Sequence, residues 1–323
     1  MSVRMPPPAL PDRRTGAHPL PYRDPVYDGA TDPVVVRDDD GALVMFYTQR
    51  RASVAGPGVA WVHGSQIGRA VSTDDGASWA YDGVVDGLPL PGDEPEMTFW
   101  APAVVRMAGR WRLFVSVIRG IPERWEGHER VIRDYAIDAL RGQPATGGDE
   151  LTLSSRLVID AAVAHGPDDR WRLWYKDEAH DSTTWLAESS DGVDWSVVGC
   201  AIAGRPHEGP SAFALGGWWW MLVDEWRGMG VYRSRDALAW QRQGGDDAVI
   251  LAEPGAHRLD RTVGRHGEVL IEGEGGRLFY FTHPFWDGNE VADAAAMDAR
   301  ISAVHEARLT VRDGVLECRR AGL

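Results

Sequence analysis

Cysteine is nearly missing from this chain of 323 residues: two examples, Cys200 and Cys318, are too few for a disulfide scaffold or a thiolate metal site. One bridge between them is compatible with the count. Missing too is any run approaching the about 18 apolar residues of a membrane-spanning helix. The opening segment, MSVRMPPPALPDRRTGAHPLPYRDP, has charges and prolines where a secretory signal needs an apolar core, so a cytoplasmic protein is expected. Basic residues are in deficit, 34 Lys and Arg against 48 Asp and Glu, a net charge of −14. Polyphosphate backbones and anionic lipids repel such a chain, so neither nucleic acid nor membrane is an expected partner. There is no GxSxG elbow, HExxH pair, phosphate-loop lysine motif or GxGxxG after a strand, which removes the commonest hydrolase, zinc-protease and nucleotide-binding signatures.

Tryptophan, by contrast, is abundant, with 15 copies in a chain whose 44% hydrophobic and 25% charged content is that of a soluble globular protein. Tryptophan packs between sheets or stacks on sugar rings, the first use being the commoner.

The chain repeats itself. A β-rich run recurs as LVMFYTQR (43–50), WRLFVSVIRG (111–120), WRLWYKDE (171–178), WWWMLVDEW (218–226) and RLFYFTHPFW (277–286). Each follows a turn (DDDGA, MAGR, HGPDDR, LGG, EGEGGR), and before each turn stands a second apolar strand: TDPVVVR, WAPAVVR, IDAAVA, EGPSAFA and RHGEVLI. Further out, STDDGASW (72–79), SSDGVDW (189–195) and SRDALAW (234–240) share a Ser, an Asp and a Trp, with YAIDALRG (135–142) a weaker copy. In these the Asp is expected to bond turn N–H groups and the Trp to pack between sheets. Five antiparallel units of about four strands are the signature of an all-β, five-bladed β-propeller. One domain over residues 23–323 is expected, with residues 1–22 as an extended arm that helps close the ring.

In a propeller the first strand of each blade lines the axis, so Asp32, the Ala101 to Ala103 segment, Asp160, Glu208 and His266 converge. The second strand runs back, and its end brings Arg50, Arg51, Arg119, Lys176, Glu178, Asp224, Trp226 and His283 to the same mouth. A lone acid at a strand end usually marks only a turn. Three at equivalent inner positions gain nothing from packing and crowd like charges. Such carboxylates cannot ionise equally, and a protonated acid beside a basic carboxylate is what glycosidic hydrolysis uses. Trp61, Trp100 and Trp226 offer faces to sugar C–H surfaces, while Arg50, His63, His128, Lys176, Glu178, Asp224, His266 and His283 are candidates to bond hydroxyls.

The motifs ATDPVVV, FWAPAVV, VIDAAVA, HEGPSAF and GRHGEV, in that order, resemble the blade-leading motifs of the five-bladed glycosidases of glycoside hydrolase family 43 and its clan relatives. The resemblance runs from about residue 22 to 310, and the EGP tripeptide is its most specific element. It implies an oligosaccharide substrate, with Asp32 as general base, Asp160 as the residue that tunes and orients the acid, and Glu208 as general acid. His266 matches the family's fifth-blade histidine near a central ion or water. No cofactor is required on this reading. An axial calcium or sodium held through waters is compatible with it, with His266 the one, weak candidate ligand. Members are mainly inverting enzymes acting on arabinose- or xylose-containing glycans, which implies a water between Asp32 and Glu208 and carboxyl groups roughly 6.5–9.5 Å apart; an exo-acting hydrolase is the first expectation. Ala103 departs from the acidic residue common after WAP, and the segments around His63, GHER (127–130) and WYKDEAH look like a pocket of this chain's own. Two alternatives stand beside the hydrolase. One is an inverting phosphorylase with Arg50, Arg51, His128 and Arg130 as its phosphate site; the other is a sugar-binding propeller without catalysis.

Overall fold

Runs of β-branched and aromatic residues cut by Gly- and Asp-rich turns fold as strands. The computed structural model describes residues 16–286 and 296–321 and contains no α-helix among them. Its strands form five antiparallel sheets. The first holds β2 (Ala30–Arg37), β3 (Leu43–Gln49), β4 (Gln66–Ser72) and β5 (Ser78–Val84), with β1 (Ala17–Pro19) outside β5. The second runs β6 (Met97–Met107), β7 (Arg110–Arg119), β8 (Val131–Ile137), β9 (Thr146–Glu150). The third runs β10 (Val158–His165), β11 (Trp171–Asp177), β12 (Thr183–Ser189), β13 (Ser196–Ile202). The fourth is β14 (Glu208–Leu215), β15 (Trp218–Asp224), β16 (Met229–Ser234), β17 (Gln241–Arg242); the fifth is β18 (Arg265–Glu272), β19 (Gly275–Thr282), β20 (Ala303–Arg312), β21 (Val315–Arg320). The leading strands touch in a closed cycle: β2 with β6, β6 with β10, β10 with β14, β14 with β18, and β18 with β2. This is the five-bladed β-propeller expected from the repeats.

The core lies between blades. Phe46 and Ile67 meet Phe99 and Leu113 between the first and second. Phe114 and Ile132 meet Leu173 and Tyr175 at the next seam, Trp174 meets Met221 and Val223 after that, and Trp220 meets Leu278 and Tyr280 between the fourth and fifth. The outer Ser-Asp-Trp motifs act as expected. Asp74, Asp191 and Asp236 each accept turn N–H groups and the preceding Ser hydroxyl; turn N–H groups chiefly hold Asp191 and Asp236 down at about 2, and the Ser78 hydroxyl chiefly does so for Asp74. Their tryptophans pack edge-on against an aromatic of the neighbouring blade: Trp79 on Phe279, Trp195 on Phe114, Trp240 on Trp174. Cys200 and Cys318 are both free thiols, so the bridge their number allowed does not form.

Ring closure joins the first blade to the fifth. Residues 1–15 of the expected arm lie outside the described residues; of the remainder, β1 extends the first sheet by pairing with β5. Tyr22 then crosses to the last blade, its N–H donating to the Val304 carbonyl at 2.9 Å and its carbonyl accepting from Val304 N–H at 2.8 Å. Its ring is buried against Tyr47, with the two hydroxyls 3.1 Å apart. Replacing Tyr22 by Ala empties an aromatic site at this seam and is expected to cost about 3 kcal/mol, by analogy with buried aromatic truncations. Urea unfolding measures it; an unchanged midpoint would show that closure does not depend on this residue.

Candidate active site

Each inner strand breaks register at the same place, between Thr31 and Val34, Trp100 and Ala103, Ile159 and Ala162, Glu208 and Ser211, Arg265 and Gly267. Such bulges turn a side chain out of the ladder and toward the axis. Asp32, Ala101, Asp160 and Gly209 have left-handed backbone here, with φ of 49°, 45°, 61° and 56°. Aspartate and glycine tolerate that region; the alanine is strained. The N–H freed from the ladder is taken by the adjacent blade: Ala101 donates to Thr48 Oγ1 at 2.7 Å, Asp160 to Ser116 Oγ at 2.9 Å and His266 to Asp224 Oδ2 at 3.0 Å.

This register corrects one expectation. Gly209, not Glu208, stands level with Asp32, Ala101, Asp160 and His266, while Glu208 shares its position with Thr31, Trp100, Ile159 and Arg265. A Cβ at Gly209 would overlap the His266 ring, so the bulge of the fourth blade admits only glycine and the acid sits one residue earlier. The third blade departs as well. Where the first, second and fourth blades present Thr48, Ser116 and Asp224 as acceptors, it presents Lys176, which accepts nothing. Gly209 N–H therefore donates to Asp160 Oδ2 at 3.0 Å, and Lys176 Nζ turns to Glu208 Oε2 at 3.1 Å and Glu178 Oε1 at 3.2 Å.

The pocket these residues line has a volume of about 420 Å³. Asp32 lies between Arg50, whose Nη2 is 3.6 Å away, and His266, whose Nδ1 is 3.5 Å away. Burial chiefly, with the charges of Glu208 and Asp32, pushes the Asp160 carboxyl up to about 7; His266 and Lys176 oppose this. Burial also acts to raise Glu208, but the Lys176 ammonium outweighs it and holds Glu208 at about 2. For Lys176 and His266 burial works against the charge, yet the surrounding carboxylates prevail and both pKa values are raised.

Of the expected site residues, Asp32, Asp160, Glu208, Arg50, Trp100, Lys176, Glu178, Trp226, His266 and His283 line this pocket. Three do not. His63 and His128 stack behind the aromatic wall, His63 lying 4.9 Å from Trp100 and 5.3 Å from His128 between ring centroids. His63 Nδ1 donates to the Val59 carbonyl at 3.2 Å, and burial lowers the ring to about 3, so it is a neutral buttress. Asp224 is fully buried and spends its two oxygens on the N–H groups of Trp226 and His266. It thereby holds Trp226, at φ 58°, over Lys176. His283 donates from Nδ1 to the Ile301 carbonyl and its pKa is driven well down by burial, which leaves Nε2 as an acceptor. The phosphate site expected for a phosphorylase is not assembled: Arg51 and His128 are off the wall, and Arg50 and Arg130 are paired with Asp32 and Glu178.

Sequence reasoning passed over Trp125, Arg265, Phe281 and Trp286, which also line the pocket; Arg130, expected there only as part of a phosphate site, lines it too. It also passed over a signal in plain view: Lys176 is the only lysine of the chain, every other cationic side chain counted with it being arginine. For a metal, the described residues offer no group of three His, Cys, Asp or Glu able to hold an ion. His266 turns Nδ1 toward Asp32 at 3.5 Å; burial works to lower its pKa, and the surrounding carboxylates raise it. Among the described residues no donor set fits a directly ligated ion.

No family model matches the chain, and a search of curated proteins finds no match. Solved structures do match. A thermostable family-43 glycoside hydrolase superposes with a TM-score of 0.67 at 15% identity, over 91% of this chain and 95% of that one. A family-43 β-xylosidase/α-arabinofuranosidase from a compost microbial metagenome, in complex with xylotriose, gives 0.68 at 13% identity over 94% and 98%. The Bombyx mori family-32 β-fructofuranosidase gives 0.69 at 13% identity over 96% of this chain and 66% of its own. At such identities the likeness is one of fold.

The raised Asp160 has a stability consequence. A carboxyl moved from its ordinary 3.8 to about 7 binds more protons folded than unfolded, so stability falls as pH rises through that window. The penalty is complete above pH 7 and absent in acid below the ordinary value. Asp160→Asn, which can still accept the Gly209 N–H, is expected to raise the unfolding temperature at pH 8 and to have no such advantage below about pH 4. Thermal melts of both proteins across pH decide it; an equal difference at both pH values would contradict this account.

Proposed function

We propose that this protein is a glycoside hydrolase that cleaves a terminal sugar from an oligosaccharide with inversion. The observation that carries the reading is the convergence of Asp32, Asp160 and Glu208 on one tryptophan-walled pocket, on a fold whose solved neighbours are glycoside hydrolases. The first two are buried at their bulges and Glu208 is partly open to the mouth. Asp32, flanked by Arg50 and His266, suits a carboxylate that takes a proton from water as that water attacks the anomeric carbon.

The leaving oxygen needs a proton, and the site stores one. The Glu208 charge helps to raise Asp160, so near neutral pH the pair holds one proton between them, on Asp160 while the pocket is filled with water. A sugar ring seated against Glu208 strips the water that favours its ionised form and moves its pKa upward. The proton then passes to Glu208 and from there to the departing oxygen. Asp160 acts as reservoir and orienter, fixed by the Gly209 and Ser116 contacts. Lys176 keeps Glu208 pointed into the pocket; Glu208 is again a carboxylate once it has given its proton, and when product leaves the proton taken by Asp32 passes to water while Asp160 takes one up.

Glu208→Gln and Asp32→Asn are expected each to lower kcat by about 10²–10⁴-fold on an unactivated disaccharide without loss of fold. The two should differ on aryl glycosides: a nitrophenolate leaves without a proton, so Glu208→Gln regains much of its rate there and Asp32→Asn does not. Proton NMR of the first-formed sugar should show the inverted anomer. Retention, or near-normal turnover by either variant, would overturn the assignment.

A further inference from the structure

The charges around the pocket pair off almost completely. Lys176 and Arg130 are answered by Glu208 and Glu178. Arg50 and His266 flank Asp32. Glu126 stands at the exposed rim, in water. One cation remains. Arg265, the first residue of β18, is half-buried on the pocket wall, its guanidinium 5.6 Å from the centre of the Trp286 ring, and it makes no ion pair or hydrogen bond with any described residue. The acid that feels its field most is Asp224, whose oxygens are already committed to Trp226 and His266 N–H groups. A neutral sugar would cover this guanidinium and leave it desolvated without a partner, which is costly.

We propose that Arg265 binds a carboxylate carried by the sugar in this pocket, so that the substrates are glycosides of a uronic acid. The inference rests on the glycosidase reading and narrows it. A guanidinium on the pocket wall with no ion pair or hydrogen bond to any described residue matches a monoanion. A planar guanidinium fork matches the two oxygens of a carboxylate, which it can bind bidentately. Trp286 beside it, with Phe281 and His283 on the same wall, supplies an apolar face for the ring and a neutral acceptor for a hydroxyl. A carboxylate on C5 is also all that separates a hexuronic acid from a pentopyranose, so a pocket sized for one needs a single added contact for the other.

The test pairs binding with turnover. Calorimetry measures D-glucuronate, D-galacturonate, D-xylose and D-galactose 6-sulfate against the wild type, Arg265→Gln and Arg265→Lys, with thermal melts confirming that the variants fold. A uronate is expected to bind about tenfold tighter than xylose, to lose that margin in Arg265→Gln and to keep part of it in Arg265→Lys. Equal binding of xylose and the uronates, no uronate binding, a preference for the sulfate, or a margin that survives Arg265→Gln would each overturn the proposal. Rates on nitrophenyl glucuronides, galacturonides and xylosides separate it from the reading beneath it. Uronate binding that depends on Arg265 without hydrolysis of any glycoside leaves this inference standing and removes the hydrolase. Hydrolysis of xylosides without a uronate margin does the reverse.

Discussion

Everything at the mouth of this propeller depends on the repulsion between carboxylates that five converging bulges press together. Left alone, Asp32, Asp160, Glu208 and Asp224 would drive their strands apart or stay protonated throughout. The structure answers each differently: Asp32 by two cations, Asp224 by two backbone N–H groups, Glu208 by an ammonium, and Asp160 by keeping its proton. Four carboxyl groups of one chemistry thus acquire four different surroundings, which is what the proposed acid and base steps would need.

The bulge is what makes this possible, because it uncouples a side chain and an N–H from the ladder at one level of every blade. In the second to fifth blades that N–H donates to the blade before it, while the side chain is left free of the ladder. Ala101 shows the cost without the use: it keeps the strained backbone and the Thr48 contact but carries no functional group. The second blade therefore contributes its walls, Trp100 and Trp125, rather than a reacting atom.

The propeller was readable because its repeats are written in local rules, with alternating strands, Asp turns and, in three of them, a Trp at similar offset. Asp32, Asp160 and Glu208 were readable for the same reason, since the repeat by itself sets them at matching ends of their strands. Two kinds of information escaped. The register within the fourth blade turns on the room beside His266, a contact between strands far apart in sequence that only glycine satisfies. The roles of His63, His128 and Asp224 depend on depth: a polar residue near a mouth looks the same in sequence whether it faces the cavity or props what does. Trp125 lies in the long connection between β7 and β8, where no periodicity assigns a side chain a direction.

Lys176 has a use outside chemistry. Since no other lysine exists in the chain, isotope supplied as that amino acid alone marks the centre of the pocket and no other side chain. A single ammonium resonance, set by Glu178, Glu208 and whatever lies against them, offers a spectroscopic window on substrate arrival and proton movement in the unmodified protein.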